Sequence, residues 1–194
     1  MKIDFVSDIA CPWCAIGLGG LDRALERLHG VIEPEIVFHP FELNPAMQPG
    51  GENTLEHVVA KYRIPVDEAR QNRERIKARA AAVGFTMNTS DASRIYNTFD
   101  AHRLIAWAAR DGKQHELTRQ LFGVYFTDQT DPGDHDALES DRYADDVRRD
   151  EALWQSRGIT GVPAVIVNDQ YLISGGQPPE EFERQLRGIA EAMA

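Results

Sequence analysis

Only two cysteines occur in these 194 residues, Cys11 and Cys14. So small a number excludes a disulfide-framed fold, and a chain of this length buries roughly 70% of its unfolded surface without staples. Long apolar runs are missing too: no stretch of about 18 apolar residues could cross a bilayer. The opening MKIDFVSDIACPWC has no basic region followed by an apolar run and a small-residue cleavage site, so a cytoplasmic protein is expected. Positive charge is scarce: Lys and Arg total 21 against 31 Asp and Glu, for a formal charge of -10 and a pI near 5.0. That balance argues against nucleic acid and membrane as partners, since both require a positive field. The densest basic segment (Arg70, Arg73, Arg75, Lys77, Arg79) is interleaved with Glu68 and Glu74 and reads as a solvated helix face. Repeats and low-complexity tracts are absent. What remains, 42% apolar and 27% charged, is an ordinary globular composition.

The order of elements is legible from periodicity. Residues 2–7, KIDFVS, alternate as a strand does. A helix follows from Cys11 to about Leu28, with Leu18, Leu21, Leu25 and Leu28 at three- and four-residue intervals and Gly30 as its stop, although glycines 17, 19 and 20 weaken its first turns. Residues 35–43, EIVFHPFEL, form a strand with an irregular end at Pro40. From 51 to 157 the pattern turns helical with almost no strand signal. Helices are predicted from Thr54, from Val66 to Val83, after Asn97 or Thr98 up to Gly112, from Gln114 to Phe126, and from Ala137 to Arg157. The chain then returns to a hairpin around Asn168, Asp169 and Gln170 and a terminal helix from Pro179 to Met193. The reading is an α/β chain of order β-α-β, helical insertion, β-β-α. It divides into 1–50 plus 158–194 as one domain and 51–157 as the other.

The pair Cys11-Pro12-Trp13-Cys14 admits three chemistries. A structural zinc needs four ligands, and the pair supplies two; His29 and His39 lie ten residues apart, outside the spacing of a histidine pair. A structural disulfide across two residues closes too short a loop to restrict the unfolded chain much. A redox couple uses every residue. At a helix N-cap the Cys11 sulfur faces free backbone N–H groups and the positive end of the helix dipole, which favours a thiolate. Pro12 fits the first helical position, and Cys14, one turn on, is expected to be deeper and to keep its proton longer. Trp13 would offer an apolar contact to substrate. His39 and His102 read as satisfied buried histidines, no role is assigned to them or to Asn97 and Thr98, and no Gly-x-Ser-x-Gly element supports a hydrolase.

A Cys-x-x-Cys closing the first strand of a βαβ unit is itself a sign of a thioredoxin-like redox motif. Together with HPFELNP (39–45), NTFDAHRL (97–104) and GITGVPAVIVNDQYLISGGQP (158–178), DxxCPWC resembles the DsbA-family thioredoxin-like proteins of the FrnE type over nearly the full length. The resemblance implies a thioredoxin-like fold interrupted by an all-helical insertion. It implies dithiol-disulfide exchange, as oxidoreductase or isomerase, by Cys11 and Cys14. It also implies a cis Val162-Pro163 bond, with Val162 pairing with an extended substrate and Pro163 shielding the sulfurs. Partners would be disulfide- or thiol-containing proteins or peptides, with glutathione a candidate co-substrate and no cofactor or metal beyond the cysteine pair; monomer and homodimer both stay open. After YFT (125–127) the segment 128–138 is expected to leave room only for a loop where relatives carry a helix, and no second cysteine pair exists for an internal relay. Two rival readings stand beside this one. The first is a glutathione-dependent isomerase of the 2-hydroxychromene-2-carboxylate type, whose members place a serine first; the second is a non-enzymatic peptide-binding chaperone.

Overall fold

The computed structural model of the chain describes residues 1–48, 50–133 and 143–193. Strand β1 (Lys2–Ser7) is the organising element, with five of its six residues buried. It runs parallel to β2 (Glu35–Pro40) and antiparallel to β5 (Ala164–Val167), which pairs in turn with β6 (Tyr171–Ser174) in the order β2-β1-β5-β6. Alternation sorts the side chains into two cores. Ile3, Phe5, Val165 and Val167 join the larger cluster with Leu18, Leu21, Phe182 and Leu186, whereas Val6, Ala164 and Ile166 join a smaller one with Phe41, Trp154 and Ile159. Burial on both faces explains why β5 reads AVIV with no polar residue.

Helix α1 (Pro12–Arg27) packs Leu18, Leu21 and Ala24 inward and lies against α7 (Pro179–Ala192), which contributes Phe182, Leu186 and Ile189. The hairpin turn between β5 and β6 is where expected, with Asn168 and Asp169 at φ 51 and 57, the left-handed region that Asn and Asp tolerate best.

Between β2 and β5 the described residues form helices α2 (Thr54–Tyr62), α3 (Val66–Ala82), α4 (Phe99–Ala108), α5 (Gln114–Phe122) and α6 (Ala144–Ser156). Asn53 caps α2, its Oδ1 accepting from Glu56 N at 3.0 Å. The basic face of α3 is solvated, with Arg70 and Arg73 both held by Asp91. Three differences from the sequence reading stand out. The helix expected to run to Phe126 ends at Phe122 and continues as a π-helical turn, Gly123–Thr127, which lets Tyr125 and Phe126 turn inward together. A two-residue pairing of β3 (Glu52–Asn53) with β4 (Arg94–Ile95) ties the start of the helical region to α4. The strand read to residue 43 stops at Pro40, level with Ser7, where its partner β1 itself ends. Residues 128–133 are irregular, while the rest of the expected 128–138 loop and the start of the helix predicted from Ala137 lie outside the described residues. Among the described residues no helix is long and apolar enough to cross a membrane.

Candidate active site

Residues 8–11 turn the chain from the end of β1 into α1, and their geometry is set by a buried acid. Asp8, 1% exposed, accepts from Ala10 N through Oδ1 at 3.0 Å and from Leu43 N through Oδ2 at 2.6 Å. Its carbonyl accepts from Cys11 N at 3.1 Å. One side chain thus pins the loop before α1 to the segment after β2. Cys11 is the N-cap, with extended φ and ψ of -90 and 111, and its carbonyl accepts from Cys14 N at 3.0 Å. Pro12 sits at N1, where its missing N–H leaves nothing unpaired.

Both cysteines are free thiols, one turn apart. Cys14 is fully buried, and burial pushes its thiol well above the ordinary range; its hydrogen bond to Cys11 and the charge there push the same way, while the Asp8 backbone opposes. Cys11 is itself nearly enclosed, at 3% exposure. The reason is the loop opposite: the Cys11 Sγ lies 3.7 Å from the Val162 carbonyl oxygen, and the Val162-Pro163 bond is cis. Val162 is half-buried and Pro163 buried. Trp13 points outward, 39% exposed.

The glycines that weaken the helix prediction are points of close approach. A Cβ on Gly17 would stand 3.1 Å from Pro163 Cγ, and one on Gly176 would stand 2.6 Å from the Trp13 carbonyl oxygen. Their bare backbones let the Pro163 loop and the segment after β6 close over the first turn of α1.

The six residues singled out in the sequence therefore meet in one place: Cys11, Pro12, Trp13 and Cys14 on α1, Val162 and Pro163 across from them. Sequence reasoning missed the polar wall behind them. His102, on α4, is 3% exposed, and its Nε2 has no hydrogen-bond partner among the described residues; Asp8 Oδ1 is 3.9 Å away. Glu42 is also buried and accepts from Arg148 at 2.8 Å, and Arg148 reaches Glu151 at 2.9 Å while stacking on Phe99. Burial pushes the Glu42 carboxyl up, Glu151 adds to this, and Arg148 and His102 oppose it. Asp8 and Glu42 do stand inside the motifs DxxCPWC and HPFELNP, which was the available signal. His39 differs from His102: it is satisfied at both nitrogens, by Asp150 and Asp4 at 2.8 Å each, and rests on Trp154. Among the described residues no group of three or more His, Cys, Asp or Glu side chains is placed to hold a metal ion.

The family model described as the DSBA-like thioredoxin domain matches residues 2–187, nearly the whole chain. The chain belongs to that family. The crystal structure of a probable DsbA oxidoreductase from Streptomyces coelicolor superposes with a TM-score of 0.89 at 30% identity, covering 100% of this chain and 91% of the other. The sheet, the redox helix and the helical region between β2 and β5 are thus those of a DsbA-like thioredoxin fold. The uncharacterized protein YwbO of Bacillus subtilis is 24% identical over 208 residues, 96% of each chain. The cytosolic disulfide reductase DsbM from Pseudomonas aeruginosa, solved with glutathione, shares the fold at a TM-score of 0.61 and 15% identity, covering 98% of this chain and 100% of that one.

Proposed function

We propose that the protein is a thiol-disulfide oxidoreductase or isomerase of the FrnE type that exchanges disulfides with proteins, peptides or low-molecular-weight thiols such as glutathione. The observation that carries this reading is the placement of two free thiols on the first turn of α1, one at the N-cap and one fully buried, opposite the Val162 carbonyl. The asymmetry assigns the order of events. Cys11 attacks a substrate disulfide, forming a mixed disulfide and releasing one substrate thiolate; Cys14 then attacks Cys11, leaving the Cys11–Cys14 disulfide and a second substrate thiol. The reverse sequence oxidises a dithiol.

Because so little of Cys11 reaches solvent, the substrate sulfur must enter between Trp13 and the Val162-Pro163 turn. An extended substrate segment would pair with the Val162 backbone and lay its apolar side chains on Trp13. A reducing compartment would drive the cycle toward substrate reduction or isomerisation. The first position being cysteine, and a second thiol standing beneath it, weighs against the serine-based carboxylate isomerase.

The test is separate substitution of the two thiols. With insulin or oxidised glutathione as substrate, Cys11→Ser is expected to abolish exchange, and Cys14→Ser to accumulate a mixed disulfide on Cys11 visible by mass spectrometry. Exchange that survives Cys11→Ser would overturn the proposal.

A further inference from the structure

The two edges of the main sheet are finished differently. At β2 the outward backbone groups are met: the Gln114 side-chain amide on α5 accepts from Phe38 N and donates to the Phe38 carbonyl, each at 3.3 Å, as a neighbouring strand would. Helices α4, α5 and α6 also pack against that strand. At β6 the outward groups are bare. The bond from Gly175 N to the Pro163 carbonyl fixes the phase of the β5–β6 ladder, so Tyr171 and Ile173 address β5 while Leu172 and Ser174 turn their N–H and C=O away from it. The Gln177 amide donates to the Ser174 carbonyl at 2.6 Å, but among the described residues nothing meets the N–H or the carbonyl of Leu172. Side chains on this edge are open as well, Leu172 at 57% exposure and Tyr171 at 37%. The strand is short, yet its sequence YLIS has neither charge nor proline, the usual guards of a free edge.

We infer that β6 is a dimerisation edge whose occupant is β6 of a second copy of this chain, antiparallel to the first about a twofold axis at Leu172. The inference is independent of the dithiol-exchange reading. The surface is self-complementary, as an isologous contact requires. Pairing Leu172 with the partner's Leu172 gives each bare N–H and C=O a partner in two reciprocal hydrogen bonds. That register sets Tyr171 opposite the partner's Ile173 on the face toward α7, where an open groove between β6 and α7 is lined by Ile173, Gln185, Ile189 and Ala192. An exposed ring and the hollow that receives it thus lie on one surface. Charge agrees. Two copies at a formal -10 repel each other, yet among the described residues lining this groove Arg184 alone is charged. Helix α7 runs back toward the start of β6, where Asn168 Nδ2 donates to the Met193 sulfur at 2.9 Å, so Arg184 lies toward the Gly175 end. The antiparallel register brings the partner's half-exposed Asp169 to that same end, twice by symmetry. An unrelated extended peptide would gain the ladder but neither the ring in the groove nor the paired charges. Because β6 runs parallel to β1, its Gly175 end is also the Cys11 end of the sheet. The partner's hairpin turn therefore borders the segment that closes over Trp13, and each copy edges the other's substrate entrance.

Sedimentation equilibrium of the full chain tests the edge. From micromolar concentration upward the wild-type protein is expected to show twice the 21.8 kDa of one chain. In Leu172→Lys two ammonium groups meet at the axis, and like charges in contact should raise the dimer dissociation constant by about a hundredfold or more. Amide hydrogen exchange in the wild-type protein is the second measurement. The Leu172 N–H, bare in one copy, should be protected where the dimer forms and lose that protection on dilution. A wild-type protein that stays at the mass of one chain up to millimolar concentration overturns the inference. So does a dimer that a folded Leu172→Lys leaves intact, or one in which the Leu172 amide exchanges freely. If Leu172→Lys does not fold, the amide measurement decides alone.

Discussion

Two glycine-to-alanine substitutions should move stability in opposite directions. At Gly176 the added methyl carbon would sit 2.6 Å from the Trp13 carbonyl oxygen and 3.3 Å from its Cε3. A carbon and a carbonyl oxygen rest at about 3.3 Å, so one backbone segment must retreat by about 0.7 Å. Neither is a flexible side chain. Overpacking of this kind costs about 1–3 kcal/mol, and the retreat falls on the residue between the two cysteines. Displacements near 1 Å at a reacting centre can slow a step by about a hundredfold, so exchange should suffer more than stability does. Gly188, inside α7, meets nothing among the described residues within 4 Å of the same hypothetical carbon. There alanine should stabilise by about 0.5–1 kcal/mol through helix propensity alone, with exchange unaffected. Urea melts read the first quantity, with equal slopes required for the comparison, and reduction of oxidised glutathione reads the second. A Gly176→Ala protein with wild-type midpoint and wild-type exchange would show that the approach of this segment to Trp13 does not constrain the site.

Alkaline titration offers an independent check. Because burial raises the Cys14 thiol, the folded protein holds that proton after the unfolded chain has released it, so stability of the dithiol form should fall as pH climbs past the ordinary thiol range. Cys14→Ala should remove one proton's worth of that slope, leaving the part owed to Tyr125, which burial and Asp8 also push up; an unchanged slope would contradict the assignment. In the core, Phe182 is fully buried between α7 and α1, and Phe182→Ala should cost about 3–5 kcal/mol in denaturant melts. A loss under 1 kcal/mol would mean that the two helices collapse onto the vacancy.

Much of this architecture was legible because it is written in period and punctuation. The alternation of Ile3 and Phe5, the leucine spacing of α1, the left-handed stops at Gly30, Gly84 and Gly112, and the Asn168-Asp169 turn each report a local backbone choice. The π turn at Gly123–Thr127 was not legible, since one inserted residue leaves the apolar spacing nearly intact while rotating everything after it. Two-residue strands such as Glu52–Asn53 are shorter than any alternation pattern. At the site, the cysteine spacing and Pro12 announced themselves locally. The enclosure of Cys11 did not, because it depends on a carbonyl 151 positions away. Nor could the chain order reveal that His102 and His39, two buried histidines, differ in whether their nitrogens are paired.

The pairing of β1 with β5 has a consequence for biosynthesis. Strand β1 is made well before β5, which pairs with it on one side, and the Val162 carbonyl that faces Cys11 follows that cysteine by 151 positions. At ordinary elongation rates of about 5–20 residues per second, the gap is roughly 10–30 s. Throughout that interval the two thiols hang on a nascent chain without their roof, open to any passing oxidant. Selective exchange can begin only once Val162 has left the ribosome.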